Sequence, residues 1–212
     1  MIVDIDDMHI NIHEKLKVAV VQQNLDKVQK YLAQGADVNY INKVFPDDPA
    51  LIQAMKHTYD EDGVKYEPNI EIIKLLIENG ADVNNKNFID SSPLHYAVEL
   101  KNTEIIKLLI DKGADVNNKN SFGDTPLHRA VFNSLENTKI LIENGADIKA
   151  KDKDGKTPLD IAKDYKELKY TTSTDNILTA KKVISFLKTM QKPKIKAKAK
   201  TKQKSNDFGM GM

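Results

Sequence analysis

The 212-residue sequence contains no cysteine and no tryptophan, and only 6% of its residues are aromatic. The absence of cysteine excludes disulfide frameworks and thiolate metal sites. With few aromatic residues, aliphatic side chains and alanine must supply most of the core, which the 40% hydrophobic content allows. Charged residues interrupt every apolar run within a few positions, so no segment is expected to span a bilayer. The acidic start of the sequence lacks the basic region of a secretory signal, and we expect a soluble protein of the cytoplasm.

The net charge of +1 conceals an uneven distribution of charge. Seven of the 32 basic residues lie between Lys192 and Lys204, where there is no acidic residue. The rest of the chain carries 25 basic and 31 acidic residues, so an acidic body of net charge −6 precedes a basic tail.

One five-residue phrase recurs four times along the chain. Gly-Ala-Asp-Val-Asn occupies 35–39, 80–84 and 113–117, and a changed copy, Gly-Ala-Asp-Ile-Lys, occupies 145–149. A second phrase keeps the same spacing, as Ser-Pro-Leu-His at 92–95, Thr-Pro-Leu-His at 125–128 and Thr-Pro-Leu-Asp at 157–160. Repetition at about 33 residues is typical of a stacked array, in which each unit buries its apolar face against its neighbours. Such arrays usually present a binding surface and seldom enclose a reaction.

The third unit shows what each repeat should form. Ser92 is placed to cap a helix that begins at Pro93, whose missing N–H costs nothing in a first turn. Asn102 or Thr103 can cap a second helix, which is apolar on more than one side, as expected of a helix packed between neighbours. Gly113 should end that helix in the left-handed conformation.

Helix, turn, helix and hairpin loop, repeated at about 33 residues, resembles the ankyrin repeat. The Thr-Pro-Leu-His phrases, the alanines two places after each histidine (Ala97 and Ala130) and the Gly-Ala-Asp-Val-Asn phrases carry the resemblance. It implies an all-α, ankyrin-type α-solenoid of stacked helix-turn-helix units with short β-hairpin or loop fingers. We predict five units, with the first and last as caps, at about 12–42, 43–86, 87–119, 120–151 and 152–190. Residues 1–11 would be an N-terminal extension and 191–212 a disordered Lys-rich tail.

Three departures from the repeat pattern predict local differences between units. In the second unit Pro49 comes one place early, and the segment 57–68 inserts about ten residues between the helices, which an array tolerates because only neighbouring contacts change. The fourth unit has Asn137 and Thr138 where the third has two isoleucines, which predicts a weaker second helix. In the fifth unit a long connection precedes the closing helix.

Catalysis and metal binding find no support in the residue pattern. The resemblance implies that His95 and His128 bond to backbone in the neighbouring loop, and no serine or carboxylate consistently accompanies them. His9 and His13 would share a helix face, but with Glu14 as the only further ligand nearby zinc is not expected. We therefore predict no enzymatic activity, no metal and no cofactor.

In ankyrin-like arrays the finger tips and first helices line a concave face on which protein partners bind. Four aromatic residues at these places are not required by the repeat, and they are either binding anchors or packing between adjacent fingers: Phe88, Phe122, Phe132 and Tyr165. Carried over by register, the predicted partner-binding residues are Phe88, Ile89, Ser91, Glu99, Leu100, Ser121, Phe122, Asp124, Phe132, Asn133, Lys153, Asp154, Lys156, Asp164 and Tyr165. The leading prediction is a monomeric, non-catalytic module that binds a protein partner of unknown identity.

The tail supports an alternative function, an adaptor tethered to nucleic acid or anionic membrane. Lysine occupies every other position: Lys192, Lys194, Lys196, Lys198, Lys200, Lys202 and Lys204. Such a run could attract anionic partners without specificity or serve as a nuclear address. The alternative is that it only keeps the chain soluble. It has no arginine and no aromatic residue for base stacking, which argues against nucleic acid. The frequent Asn, Lys and Ile indicate an AT-rich genome, which leaves delivery of the chain into a host cell open.

Overall fold

Ten helices packed in five consecutive pairs make up the described part of the chain. The computed structural model describes residues 6, 9–42, 47–59, 65–100, 102–167 and 174–191. The first helices of the pairs are α1 (Ile12–Val21), α3 (Ala50–Ala54), α5 (Pro93–Ala97), α7 (Pro126–Asn133) and α9 (Pro158–Glu167). The second helices are α2 (Leu25–Ala33), α4 (Ile70–Glu78), α6 (Thr103–Asp111), α8 (Leu135–Glu143) and α10 (Thr174–Gln191).

The helices form two rows that follow the order of the chain. Each first helix packs against its own partner and against the first helix of the next pair, and the second helices form a parallel row in the same way. The core is a continuous layer of alanine, leucine, isoleucine and valine between the rows, extended at its C-terminal end by α10, which also contacts α7 and α8. None of the described helices is both long enough and apolar enough to cross a membrane. The architecture confirms the predicted all-α solenoid.

Four of the second helices, α2, α4, α6 and α8, begin at side-chain caps. Asn24, Asn69 and Asn102 each accept a backbone N–H from the first turn of the helix that follows, and Ser134 does the same for α8. An N-cap side chain satisfies an N–H that has no partner within the helix. Of the two caps left open for α6 the structure selects Asn102, whose Oδ1 lies 2.9 Å from the backbone nitrogen of Glu104.

The fingers between the helix pairs are loops closed by one side chain. Asn87 Oδ1 accepts the N–H groups of Ile89 and Ser91 at 3.1 and 3.0 Å, and Asn120 Oδ1 does the same for the next finger at 2.9 and 3.0 Å. Of the two predicted finger types, β-hairpin or loop, these described fingers therefore show the loop. The strand pair found in the described residues lies instead in the predicted insertion, where β1 (Thr58–Tyr59) runs antiparallel to β2 (Lys65–Tyr66).

The second helix of the fourth unit is not shortened by its polar residues. α8 spans nine residues, as does α6, although Asn137 and Thr138 are both buried. Asn137 Nδ2 donates to the carbonyl of Val98 at 2.9 Å, and Thr138 Oγ1 donates to the carbonyl of Ser134 at 2.8 Å. The prediction that this helix is weaker concerns its stability and stays a prediction, but both polar groups have hydrogen-bond partners.

Candidate partner-binding face

Two buried histidines fix the first helices to the fingers beside them. His95 Nε2 lies 3.0 Å from the carbonyl oxygen of Asp124, and His128 Nε2 lies 3.2 Å from that of Lys156. A carbonyl oxygen only accepts, so Nε2 carries the proton and Nδ1 is left to accept from the N–H and hydroxyl of the cap residue, Ser92 or Thr125. This confirms the predicted bond from each histidine to backbone in the neighbouring loop. The burial that surrounds His95 lowers its pKa from 6.5 to about 4.

The asparagine of each Gly-Ala-Asp-Val-Asn phrase joins successive units. Asn84 Nδ2 donates to the carbonyl of Gly113 at 2.9 Å, and its Oδ1 accepts the N–H of Asp115 at 2.8 Å. Asn39 and Asn117 make the same two bonds to the glycine and aspartate of the phrase that follows each of them. We call these three residues the asparagine ladder. It holds the units at a constant separation, which in turn sets the spacing of the fingers.

The fingers touch one another through backbone and leave their aromatic side chains outside. The N–H of Ser121 donates to the carbonyl of Ile89, and the N–H of Lys153 donates to the carbonyl of Phe122, at 2.9 and 3.0 Å. Phe88 is 86% exposed and Phe122 is 56% exposed. The alternative interpretation was that these aromatic rings pack between fingers. The exposure of Phe88 excludes it for that residue, and at Phe122 such packing covers less than half of the surface.

A groove of about 380 Å³ lies on the same face, between the last two first helices and a finger. It is lined by Glu99, Asp124, His128, Arg129, Phe132 and Ile161. Arg129 Nη1 pairs with Glu99 Oε1 at 3.0 Å, and the guanidinium carbon lies 5.9 Å from the centre of the Tyr96 ring. The groove thus combines an apolar wall with a charged rim.

Three predicted binding residues line this groove together: Glu99, Asp124 and Phe132. The predicted binding residues differ in their exposure. Glu99, Asn133, Lys153, Asp154, Lys156 and Asp164 are exposed, and Ile89, Ser121, Asp124 and Phe132 are partly exposed. Lys156 Nζ pairs with Asp164 Oδ2 at 2.7 Å, which raises the lysine pKa above its usual value.

Two predicted binding residues are not on the surface. Ser91 is fully buried because Asn87 closes the finger around it, and Leu100 is 7% exposed because α5 ends at Ala97 and the chain then turns into the core. Both predictions of an exposed position are wrong. The Tyr165 side chain and the tail lysines from Lys192 to Lys204 lie outside the described residues.

The residue pattern did not indicate two side chains at the groove, the basic Arg129 and the aromatic Tyr96. Arg129 and Tyr96 occupy the same place in successive units, between the histidine and the helix alanine. The sequence did contain a signal for these two residues, because this one position varies between units while the phrase around it is repeated. Ile161 was missed because an isoleucine on a helix is ordinarily a core residue.

His13 has a structural role at the start of the array. His13 Nδ1 accepts the N–H of Asp37 at 2.8 Å, and the ring stacks on Tyr40 with centroids 5.0 Å apart. Asp37 is the aspartate of the first phrase, and no earlier copy of the phrase in this sequence supplies an asparagine to accept its N–H, so His13 takes that place at the start of the ladder. Within the described ranges no cluster of three or more potential ligands could hold a metal ion.

Comparison with known proteins agrees with this architecture. The chain is similar to the rat (Rattus norvegicus) and human (Homo sapiens) forms of Arf-GAP with coiled-coil, ANK repeat and PH domain-containing protein 2, at 32% identity over 99 residues. The aligned part is 47% of this chain but only 12% and 11% of those relatives, and the chicken (Gallus gallus) form aligns over 98 residues at 30% identity.

The family model for ankyrin repeats matches three overlapping segments, at 16–120, 62–152 and 94–170. Ankyrin repeats are generally protein–protein interaction modules and typically lack catalytic activity. Because these segments together run from residue 16 to residue 170, well over half of the sequence, the chain belongs to the ankyrin repeat family.

Proposed function

We propose that this chain is a non-catalytic module that binds a protein partner on the face formed by its finger tips and first helices. The observation that carries the proposal is the exposure of Phe88 and Phe122 on adjacent fingers. A soluble protein gains nothing from two large exposed rings in its free state, whereas aromatic anchors contribute strongly to binding energy.

The surroundings of the two rings support a partner with mixed chemistry. Asp124, on the same finger as Phe122, lines the groove, which has Phe132 and Ile161 on its apolar wall and the charged Glu99 and Arg129 on its rim. A partner that fits would place an apolar side chain in the groove and a polar group against the rim. Interfaces commonly have this arrangement of an apolar centre and a polar border.

The test is capture of a partner by the full-length chain. Affinity purification with mass spectrometry identifies the candidate, and its dissociation constant is then measured for the Phe88→Ala, Phe122→Ala double variant. We expect binding to weaken by about a hundredfold, because truncating two anchors costs on the order of 3 kcal/mol. Adding Phe132→Ala should abolish capture while the helical circular-dichroism signal persists.

The matched control removes exposed apolar side chains elsewhere. Leu178 and Met190 are 50% and 47% exposed and lie on α10, a second helix outside the proposed face. The Leu178→Ala, Met190→Ala variant should bind the partner as the unaltered chain does. Equal affinities for the phenylalanine variant and this control would show that the partner binds elsewhere.

We further propose that the array consists of five units, with α1–α2 and α9–α10 as its end caps. The support is that each predicted unit contains one helix pair. Lys149 replaces the ladder asparagine in the last phrase, and Asp160 replaces the histidine that would bond to a further finger. Both substitutions fall in the last copies of the two phrases in this sequence. We infer that such a module works as a monomer in the cytoplasm.

A further inference from the structure

The last helix carries exposed lysines that the binding face does not use. One side of α10 is exposed along its length and consists of residues spaced by three and four: Leu178, Lys181, Lys182, Ser185, Lys188 and Thr189. The opposite side, with Ala180, Val183 and Leu187, is buried against the array. This spacing places the exposed set on a single side of the helix. We call it the α10 stripe.

The charge of the stripe is not neutralised locally. Among the described residues no carboxylate pairs with Lys181, Lys182 or Lys188, whereas one lysine on each of α4, α8 and α9 pairs with a carboxylate three positions earlier. From Ile177 to Asn206 the sequence has ten lysines and no acidic residue. In the sequence, the stripe begins a long basic segment on an otherwise acidic chain.

We propose that the α10 stripe docks on an anionic lipid surface. Lysines near a membrane are attracted to acidic headgroups within a Debye length, and the attraction adds over a cluster. Leu178 and Met190, 50% and 47% exposed near the two ends of α10, supply apolar groups that can enter the headgroup region.

The composition of the stripe separates a lipid surface from nucleic acid. Neither the stripe nor the segment 192–204 contains arginine or an aromatic residue. Binding of single-stranded nucleic acid relies on aromatic stacking platforms, and base recognition in duplexes relies largely on arginine. α10 also belongs to the row of second helices, so docking through it leaves the fingers and first helices free. This inference goes beyond the proposed partner binding and does not depend on it.

The experiment measures co-sedimentation of the full-length chain with phosphatidylcholine vesicles that contain about 30% phosphatidylserine, and with pure phosphatidylcholine vesicles. The test variant is Lys181→Gln, Lys182→Gln, Lys188→Gln, which keeps good helix formers on an exposed surface. The control is Lys107→Gln, Lys112→Gln, Lys149→Gln, which removes the same charge from exposed positions outside α10. A 20-base-pair DNA duplex is titrated under identical salt conditions, at about physiological ionic strength.

We expect the unaltered chain and the control to bind the anionic vesicles, with binding that weakens as salt is raised, and not the neutral ones. The test variant should bind at least about tenfold more weakly than the control, since each lysine near the surface adds to the attraction. Equal binding by test variant and control would overturn a role for the stripe. Tighter binding to the duplex than to anionic vesicles would overturn the choice of lipid.

Discussion

At the scale of single residues, the asparagine ladder shows how one side chain can join two units. The side-chain amide of Asn84 can both donate and accept hydrogen bonds. Its NH₂ group donates to the carbonyl of Gly113, and its oxygen accepts the N–H of Asp115. An aspartate could not donate, and a shorter serine could not bridge both groups. The recurrence of asparagine at this place therefore has a physical cause in the stacking.

Replacing Asn84 by alanine should lower the free energy of unfolding by about 1–2 kcal/mol, because it removes the partners of the Gly113 carbonyl and the Asp115 N–H. Urea unfolding followed by circular dichroism measures the change. The control is Asn85→Ala, whose Oδ1 accepts only the N–H of Lys86 beside it. Equal losses for the two variants would mean that the ladder contributes nothing beyond local loop structure.

The buried His95 should make stability depend on pH. Its folded pKa is about 4, below the usual 6.5, so the unfolded chain takes up the proton first as pH falls. The stabilisation is fully present above about pH 6.5 and is lost as pH falls toward 4, by on the order of 3 kcal/mol. Urea unfolding between pH 7.5 and about 4 should show a steeper decline for the unaltered chain than for His95→Gln. Parallel curves would assign the decline to other groups.

At the scale of elements, repetition in the sequence predicted the helices and their caps, because each unit repeats the same local chemistry at the same places. The bonds of the two histidines were implied by the resemblance to the ankyrin repeat. The sequence could not predict which finger residues are exposed. Ser91 is buried by the way Asn87 closes its loop, and Leu100 is buried because α5 stops after five residues. Such outcomes depend on backbone paths that no repeated phrase specifies.

Asn137 illustrates how tertiary contacts override propensity within a helix. Its Nδ2 donates to the carbonyl of Val98, the C-cap residue of the short α5. Asn137→Leu should destabilise the chain by about 1–3 kcal/mol, although leucine is the better helix former. Urea unfolding is again the measurement, with Asn144→Leu on the exposed C-terminal end of α8 as control. Stabilisation by Asn137→Leu would show that the bond to Val98 is dispensable.

The close approach of two fingers can be tested at Gly123. Its φ is +81°, and a Cβ there would lie 2.8 Å from the backbone nitrogen of Lys153, whereas Gly155 has a φ of +75° with open space around it. Gly155→Ala should therefore cost only the conformational strain, about 1 kcal/mol, and Gly123→Ala should cost that strain and a backbone displacement besides. Thermal unfolding compares the two variants. Equal shifts in Tm would contradict the tight contact between fingers.

At the scale of the whole molecule, the two rows of helices make stability a sum of neighbouring contacts. α1 and α10 stand at opposite ends of the array, and each packs mainly against its own neighbours, α2 and α3 for α1 and α7 to α9 for α10. In such arrays local stability depends on the unit and its interfaces, so a defect should weaken its own end first. This distinguishes a repeat array from a globule in which distant segments share one centre.

Two core truncations at opposite ends test this locality. Leu16 on α1 is fully buried and Leu187 on α10 is 1% exposed, so alanine at either place should cost about 2–5 kcal/mol of local stability. Hydrogen exchange followed by mass spectrometry should show Leu187→Ala losing protection in α7 to α10 while α2 and α4 retain it. Leu16→Ala should show the reverse pattern. Uniform loss of protection along the chain in both variants would instead mean that the array unfolds as one cooperative unit, because a purely local defect cannot release elements it does not touch.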